Sequence, residues 1–281
     1  MKKILVPTDF SKQAENALEL AYSIVKKSNA KLEVLHVIED TTVTSVHYTG
    51  DLELPNIDDK LFVIRMIERA KDEMAAIQDK YSDIDIQTQL RIGNPYHNIK
   101  DFVNEDDEVD FLIMGTKGSS GLEEFLIGSN AEKVVRYAKC PVLTIHDKVA
   151  STDFKNIVYA TGLEEDDSYC VRIIQEFQKA YDAKVHLLRV NTPNNFESDR
   201  ESLPALEAYA KKCGLENYEV HVYNEGSEEE GIIYFAEHVN ADLIAMATHG
   251  RTGLAHFLTG SIAEDVVNHA KRPVLTYVIE K

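Results

Sequence analysis

The chain has 281 residues, 44 % of them hydrophobic, and its 30 Lys and Arg against 48 Asp and Glu leave a formal net charge of −18. That imbalance argues against nucleic acid and anionic membrane as partners, since both draw on basic surface, and no run approaches the ~20 apolar residues of a membrane span. Cys140, Cys170 and Cys213 are far apart with no C-x2-C pair, so neither a zinc site nor a disulfide framework is indicated. Lys2 and Lys3 are followed by only three apolar residues before Pro7, which is not a signal peptide, and the reading is a reduced, cytoplasmic protein.

In chain order, short β-branched runs alternate with helical patterns. Lys3 to Val6 reads as a strand, and Ala14, Ala17, Leu18, Ala21 and Val25 follow the i, i+3, i+4, i+7 spacing of an amphipathic helix. Strands are then predicted at Lys31 to Val37, Ile84 to Leu90, Phe111 to Met114 and Val142 to Ile145. A polar stretch from Asp147 to Lys155 forms a junction. The series then repeats, with strands at Ile157 to Tyr159, Lys184 to Val190, Tyr218 to Val222, Leu243 to Met246 and Val274 to Val278. Glu228, Glu229 and Glu230 read as the start of a solvated helix, where negative charge meets the positive end of the dipole. Strands that are continuously apolar and separated by helices imply a parallel, right-handed, doubly wound sheet in each half.

The repetition extends to the residues themselves. GSSGLEEFLIGSNAEKVVRYAKCPVLTI, from Gly118 to Ile145, returns as GRTGLAHFLTGSIAEDVVNHAKRPVLTY, from Gly250 to Tyr277, with identity at 17 of 28 positions. So dense a match argues for two homologous domains, drawn at 1–147 and 153–281. The openings KKILVPTDFS, from Lys2, and KNIVYATGLE, from Lys155, align at a larger offset, so the first copy carries an insertion, placed in the polar stretch around Thr41 to Lys60. The first copy reads G-x2-G-x9-G-S through Gly115, Gly118, Gly128 and Ser129; the second reads A-x2-G-x9-G-S through Ala247, Gly250, Gly260 and Ser261. A glycine-rich loop opening a helix presents free backbone N–H groups to phosphate. Ser129-Asn130-Ala131-Glu132 and Ser261-Ile262-Ala263-Glu264 also carry capping-box spacing, so each serine is read either as an N-cap or as a phosphate ligand, with the N–H groups of Asn130 and Ile262 beside it.

These residues make the chain resemble a tandem universal stress protein over nearly its whole length. The resemblance implies two Usp-like, doubly wound, five-stranded parallel sheets, Rossmann-like and of the adenine nucleotide alpha hydrolase-like type, paired as a pseudo-dimer. The apolar ends Cys140 to Ile145 and Pro273 to Ile279 are the expected pairing strands. It also implies an ATP site in the first repeat, built from the V-P-x-D element Val6, Pro7, Thr8 and Asp9, from Met114 and Gly115 at the end of a later strand, and from the glycine loop. Asp9 is read as a contact to adenine or ribose, or as a helix cap; Val37 as a backbone contact to the base edge, or as core; Lys117 as a phosphate ligand, or as a solvated loop lysine. Mg²⁺ or Mn²⁺ would help offset the triphosphate's charge on so acidic a chain.

The second repeat departs from the pattern, with Ala160 for the proline, Gly162 for the aspartate and Ala247 for Gly115, while Thr161, Val190, Met246, Gly250, Arg251, Gly260, Ser261 and Ile262 remain as binding candidates. No catalytic signature is present: there is no G-x4-G-K-[ST], G-x-S-x-G or H-E-x-x-H. His146, His249, His256 and His269 are read as surface residues, with metal coordination as the alternative for His249 and His256, and no metal site is assigned. Three functions stay open: a stress protein that senses or sequesters ATP or a related adenine nucleotide, a slow phosphohydrolase or phosphotransferase depending on Asp9, and an interaction scaffold with empty pockets. Dimerisation of the whole chain, and its protein partners, are left open.

Overall fold

A computed structural model describes residues 1–39, 57–116, 127–163, 168–249 and 262–279. The elements follow the predicted alternation. The first repeat runs β1 (Lys3–Thr8), α1 (Lys12–Ser28), β2 (Lys31–Ile38), α2 (Ile57–Lys80), β3 (Ile86–Ile92), α3 (Pro95–Glu105), β4 (Val109–Gly115), α4 (Ser129–Tyr137) and β5 (Val142–Ile145). The second runs β6 (Asn156–Ala160), α5 (Ser168–Tyr181), β7 (Lys184–Asn191), α6 (Asp199–Lys212), β8 (Tyr218–Asn224), α7 (Glu228–His238), β9 (Leu243–His249), α8 (Ile262–His269) and β10 (Val274–Ile279). The third strand starts at Ile86 rather than Ile84, because the chain between α2 and β3 turns back on itself, Ile84 N donating to the Tyr81 carbonyl at 3.3 Å.

Local rules account for the helix ends. Ser11 caps α1 by accepting from Ala14 N, and the helix ends at Asn29 in the left-handed region (φ 55°), whose N–H donates to the Val25 carbonyl. Asp182, at the corresponding end of α5, has the same handedness (φ 52°). Ser227 caps α7, setting Glu228, Glu229 and Glu230 in its first turn as the sequence implies.

The strands form one sheet in the order β3-β2-β1-β4-β5-β10-β9-β6-β7-β8, so the two five-stranded halves share a single ten-stranded surface. Within each half every pairing is parallel; at the junction β5 and β10 run antiparallel. The register there is Thr144↔Val274, Leu143↔Leu275 and Val142↔Thr276, so the pairs on either side of Leu143↔Leu275 exchange under the repeat equivalence. Leu143 faces Leu275, its own equivalent, and so marks a pseudo-two-fold axis of the isologous kind. The two buried threonines complete the symmetry: Thr144 Oγ1 donates to the Val274 carbonyl at 3.2 Å and Thr276 Oγ1 to the Val142 carbonyl at 3.4 Å. Helices close over the axis, with Arg136 Nε of α4 on Glu264 Oε1 of α8 at 2.6 Å and Arg172 of α5 on Asp110 of β4 at 3.0 Å.

Alternate strand residues supply two apolar layers. Ile4, Val6, Phe111 and Ile113 belong to the layer that contains residues of α1 and α5, whereas Leu5, Leu112 and Met114 belong to the layer that contains residues of α3, α4, α7 and α8. Glu33 interrupts this pattern in β2. It is 2 % exposed and its Oε1 has no hydrogen-bond partner among the described residues, so burial pushes its carboxyl above the ordinary value of 4.5. A raised native pKa means that the folded state holds a proton which the unfolded chain releases, so stability falls as pH rises from 4.5 through the native value. Glu33→Gln is therefore expected to raise the thermal midpoint at pH 8, with the gain shrinking as pH is lowered towards 4.5, as differential scanning calorimetry across that range would show.

Candidate functional site

Sheet order reverses beside β1: the chain leaves it towards β2 on one side and returns to β4 on the other. The carboxyl ends of β1 and β4 therefore flank the switch point at which open α/β sheets present a crevice. Pro7, Thr8 and Asp9 come to one side of it, Met114 and Gly115 to the other, as the motif spacing implies.

On the β1 side the chain turns sharply. Phe10 sits at φ 61°, an uncommon conformation for a bulky side chain. Two hydrogen bonds hold it, Phe10 N donating to Thr8 Oγ1 at 3.1 Å and Ser11 N donating to Asp9 Oδ1 at 3.0 Å. The Phe10 ring lies 4.2 Å from that of His36, whose Nδ1–H donates to the Thr8 carbonyl at 2.7 Å. Burial lowers the His36 pKa below its ordinary value, against the opposing effect of that hydrogen bond and of Asp9. Asp9 is exposed at the mouth and does not cap α1, because Ser11 takes that position. Val37 lies where β2 outruns its neighbour, since the register with β1 ends at Thr8↔His36. The Ile38 carbonyl accepts from Gly93 N on the β3 side, so the preceding carbonyl, that of Val37, is directed to the β1 side, past the end of that strand.

On the β4 side the glycine loop is closed at its base: Gly128 N donates to the Thr116 carbonyl at 2.7 Å, and Thr116 N to that of Ile145 at 2.9 Å. The helix begins one residue earlier than the capping-box reading has it. Gly128 is the N-cap of α4, accepting from Glu132 N at 2.9 Å, and Ser129 is the first helical residue. Ser129 is thus not the cap; its hydroxyl and the N–H groups of Ser129 and Asn130 stand in a first turn whose cap residue has no side chain to offer them. His146, read from sequence as a surface residue, is half-buried. Its Nε2–H donates to the Val267 carbonyl of α8, and its Nδ1 accepts from Thr116 Oγ1 at 2.8 Å, tying the loop base to the other repeat. Ile127 N makes a similar link to Asn268 Oδ1 at 3.1 Å.

Gly115 has a packing reason to be glycine. A Cβ there would lie 2.8 Å from Gln13 Cβ and 3.1 Å from the Gln13 carbonyl carbon, so the first turn of α1 is seated directly on the end of β4. This contact draws Asp9 and the glycine loop together.

The second repeat keeps the strand-end turn without the carboxylate. Thr161 Oγ1 accepts from Leu163 N at 2.9 Å and Leu163 has φ 66°, matching Thr8 and Phe10, with Gly162 between them. Ala247 stands where the first repeat has Gly115. Val190 and Met246 are buried, and Gly231 of α7 packs so tightly on Val190 that a Cβ would lie 2.5 Å from its Cγ1. The side chain of Val190 is therefore core. Ile262 opens α8. Lys117, Gly118, Gly250, Arg251, Gly260 and Ser261 lie outside the described residues, as do His256 and most of the insertion around Thr41 to Lys60.

Sequence reasoning missed Ser11, Gln13, His36, Thr116 and His146, which shape the crevice from elements distant in the chain. Gly115→Ala is expected to cost about 1 to 3 kcal/mol of stability, the usual penalty for overpacking; a chemical-denaturation midpoint equal to that of wild type would show that α1 is not seated as described.

Comparison with known proteins agrees with this architecture. A protein of Staphylococcus aureus (strain USA300) whose name places it among the universal stress proteins is 28 % identical over 171 residues, covering 58 % of this chain and 95 % of its own length. The crystal structure of a universal stress protein from Archaeoglobus fulgidus DSM 4304 superposes with a TM-score of 0.76 at 24 % identity, covering 98 % of both chains. That of the functionally unknown protein PA1789 from Pseudomonas aeruginosa PAO1 does so at 0.66 and 17 %, covering 99 % of this chain and 93 % of the other. The sequence model of the Universal stress protein family matches residues 1–146 and again 153–277. The chain thus belongs to the universal stress protein family, with two Usp domains in tandem.

Proposed function

We propose that the first repeat binds ATP or a related adenine nucleotide in the crevice between β1 and β4, and that the protein acts in a cytoplasmic stress response through that binding. The observation that carries this reading is the α4 N-terminus: its cap is Gly128, held over the loop base by Thr116, and its first N–H groups meet the switch point where Asp9 also lies. A helix N-terminus concentrates positive dipole where an anion can use it. Phosphates would bind the N–H groups and hydroxyl of Ser129 and the N–H of Asn130, along the loop carrying Lys117 and Gly118. The base would lie towards the Val37 carbonyl and the ribose towards Asp9, with Pro7, Thr8, Met114 and Gly115 forming the floor. Mg²⁺ or Mn²⁺ would carry part of the triphosphate's charge against a chain of net charge −18.

The second repeat is the weaker partner in this proposal. Its candidates, Thr161, Val190, Met246, Gly250, Arg251, Gly260, Ser261 and Ile262, lack a counterpart to Asp9 and carry Ala247 where the first site has glycine. No helix among the described residues is long and apolar enough to cross a membrane, which accords with action in an aqueous compartment.

Gly128→Val provides the test. The backbone at φ −64° and ψ 146° accepts a β-branched residue, so the variant is expected to fold, as circular dichroism would verify, while its side chain obstructs phosphate. Calorimetric titration with ATP and Mg²⁺ is expected to show about 1.5 to 3 kcal/mol of lost affinity, the worth of one charge-assisted hydrogen bond, and a smaller loss for Gly260→Val. Unchanged affinity in a folded Gly128→Val protein would refute the placement. Metal-dependent ATP turnover abolished by Asp9→Ala would instead make the site a phosphohydrolase.

A further inference from the structure

On the outer part of the second repeat, far along the sheet from the β1/β4 crevice, three potential ligands converge. His186 of β7 and Glu219 and His221 of β8 lie on one face, because His186 pairs in register with Glu219 and the next outward position, Leu188, pairs with His221. Their ligand atoms all fall within 4.8 Å of one another, and among the described residues they are the one such group of three. His186 Nδ1 stands 3.2 Å from His221 Nε2, while Glu219 Oε2 is 3.7 Å from His221 Nε2 and 4.0 Å from His186 Nδ1. Ligands about 2.0 to 2.1 Å from a tetrahedral zinc ion are separated by roughly 3.3 to 3.4 Å along each edge. The nitrogen pair already has that spacing, and Glu219, which is exposed, needs only a small side-chain rotation to reach it.

We propose that His186, His221 and Glu219 form a divalent transition-metal site suited to Zn²⁺, with a fourth position open to water on the solvent side. Two imidazoles and one carboxylate are the donor set of many such sites. The surroundings prepare it. His186 Nε2–H donates to Asn156 Oδ1 at 3.4 Å, which turns the lone pair of Nδ1 into the cluster, as an outer carbonyl does for metal-bound histidines. Lys184 Nζ engages Glu219 Oε1 at 2.5 Å, leaving Oε2 for the metal. The Phe235 ring lies 4.8 Å from that of His221 and 6.3 Å from that of His186, forming an apolar wall beneath them. Burial favours neutral imidazoles, and Lys184 favours an ionised Glu219, the forms in which these groups bind metal. Lys184 and His238 are the basic side chains that bear on the site. Without metal, the proton between the rings resides on His221 Nε2; metal binding moves it to His221 Nδ1 by a change of tautomer, with no net proton release.

The first repeat shows how specific this arrangement is. The positions equivalent to His186, Glu219 and His221 hold Glu33, Gln87 and Gln89, with Glu33↔Gln87 in the corresponding register. Both repeats thus carry polar residues on this otherwise apolar surface, but only the second has borderline-soft nitrogen donors. A bound ion would clamp the edge strand β8 to β7 and stiffen the end of the sheet.

The test is a titration of the full chain with Zn²⁺ alone against a chelating dye, together with Co²⁺ absorption as a reporter of tetrahedral coordination. Wild type is expected to bind one tight Zn²⁺ per chain and to show intense visible Co²⁺ bands, with Zn²⁺ raising the thermal midpoint. Glu219→Gln and His221→Ala are each expected to weaken binding at least tenfold and to erase the bands, while His269→Ala, at an exposed histidine outside the cluster, leaves both unchanged. Glu219 is exposed, so its variant reports on the metal even if His221→Ala does not fold. Wild type that binds no Zn²⁺, or binding that survives Glu219→Gln and His221→Ala but is lost in a His249→Ala/His256→Ala double variant, would overturn the proposal.

Discussion

The antiparallel pairing of β5 with β10 is the contact on which the rest of the molecule depends. Each half on its own would end in a short apolar strand with an unpaired row of backbone donors and acceptors, the kind of edge that recruits another chain. Pairing them within one polypeptide removes both edges and buries Val142 to Ile145 and Val274 to Thr276 almost completely. The register through Leu143 and Leu275 then decides what else meets. It sets α4 beside α8, puts Arg136 on Glu264, and brings the His146 and Ile127 links across to the second repeat. The base of the candidate phosphate loop is thereby held by both domains.

Within that frame the two repeats use one scaffold for different ends. Both keep a threonine at the end of the first strand and a left-handed residue two positions later, Thr8 with Phe10 and Thr161 with Leu163. The turn is therefore a property of the fold, required to pass the chain from the strand end into its helix. What differs is chemistry laid upon it. The first repeat has Asp9 exposed at the turn and Gly115 under α1; the second has Gly162 and Ala247, and carries its titratable side chains instead on β7 and β8. Polar residues on the β2/β3 and β7/β8 surfaces are costly inside an apolar layer, and each copy resolves this differently, one by burying a carboxyl that resists ionisation and the other by linking imidazoles to Asn156 and to each other.

Much of this was legible in the chain. Most strands read as continuously apolar runs, because a sheet covered by helices on both faces leaves no solvent side to mark, whereas the edge strands β3 and β8 interleave polar residues. Duplication told the domain count, and the glycine spacing pointed to the loop and helix that frame the crevice. The failures are equally physical. Ser129 carries the spacing of a cap, yet the helix starts on it, since Gly128 is the residue whose carbonyl receives the bond from Glu132. His146 stands beside Asp147 and Lys148 and reads as a surface residue, but its partners, Thr116 and Val267, are supplied by the turn after β4 and by the other repeat.

By itself, then, the sequence determined the doubly wound class, the tandem organisation, the pairing strands and the residues that flank the switch point, because these follow from local periodicity and from self-similarity. Only the tertiary structure decided that the halves share one ten-stranded sheet about a Leu143/Leu275 axis, that Gly115 is glycine because Gln13 leaves no room for a Cβ, and that His186, Glu219 and His221 converge. Each of these depends on which strands lie side by side and in what register, a choice made by long-range packing that no local window of the chain contains.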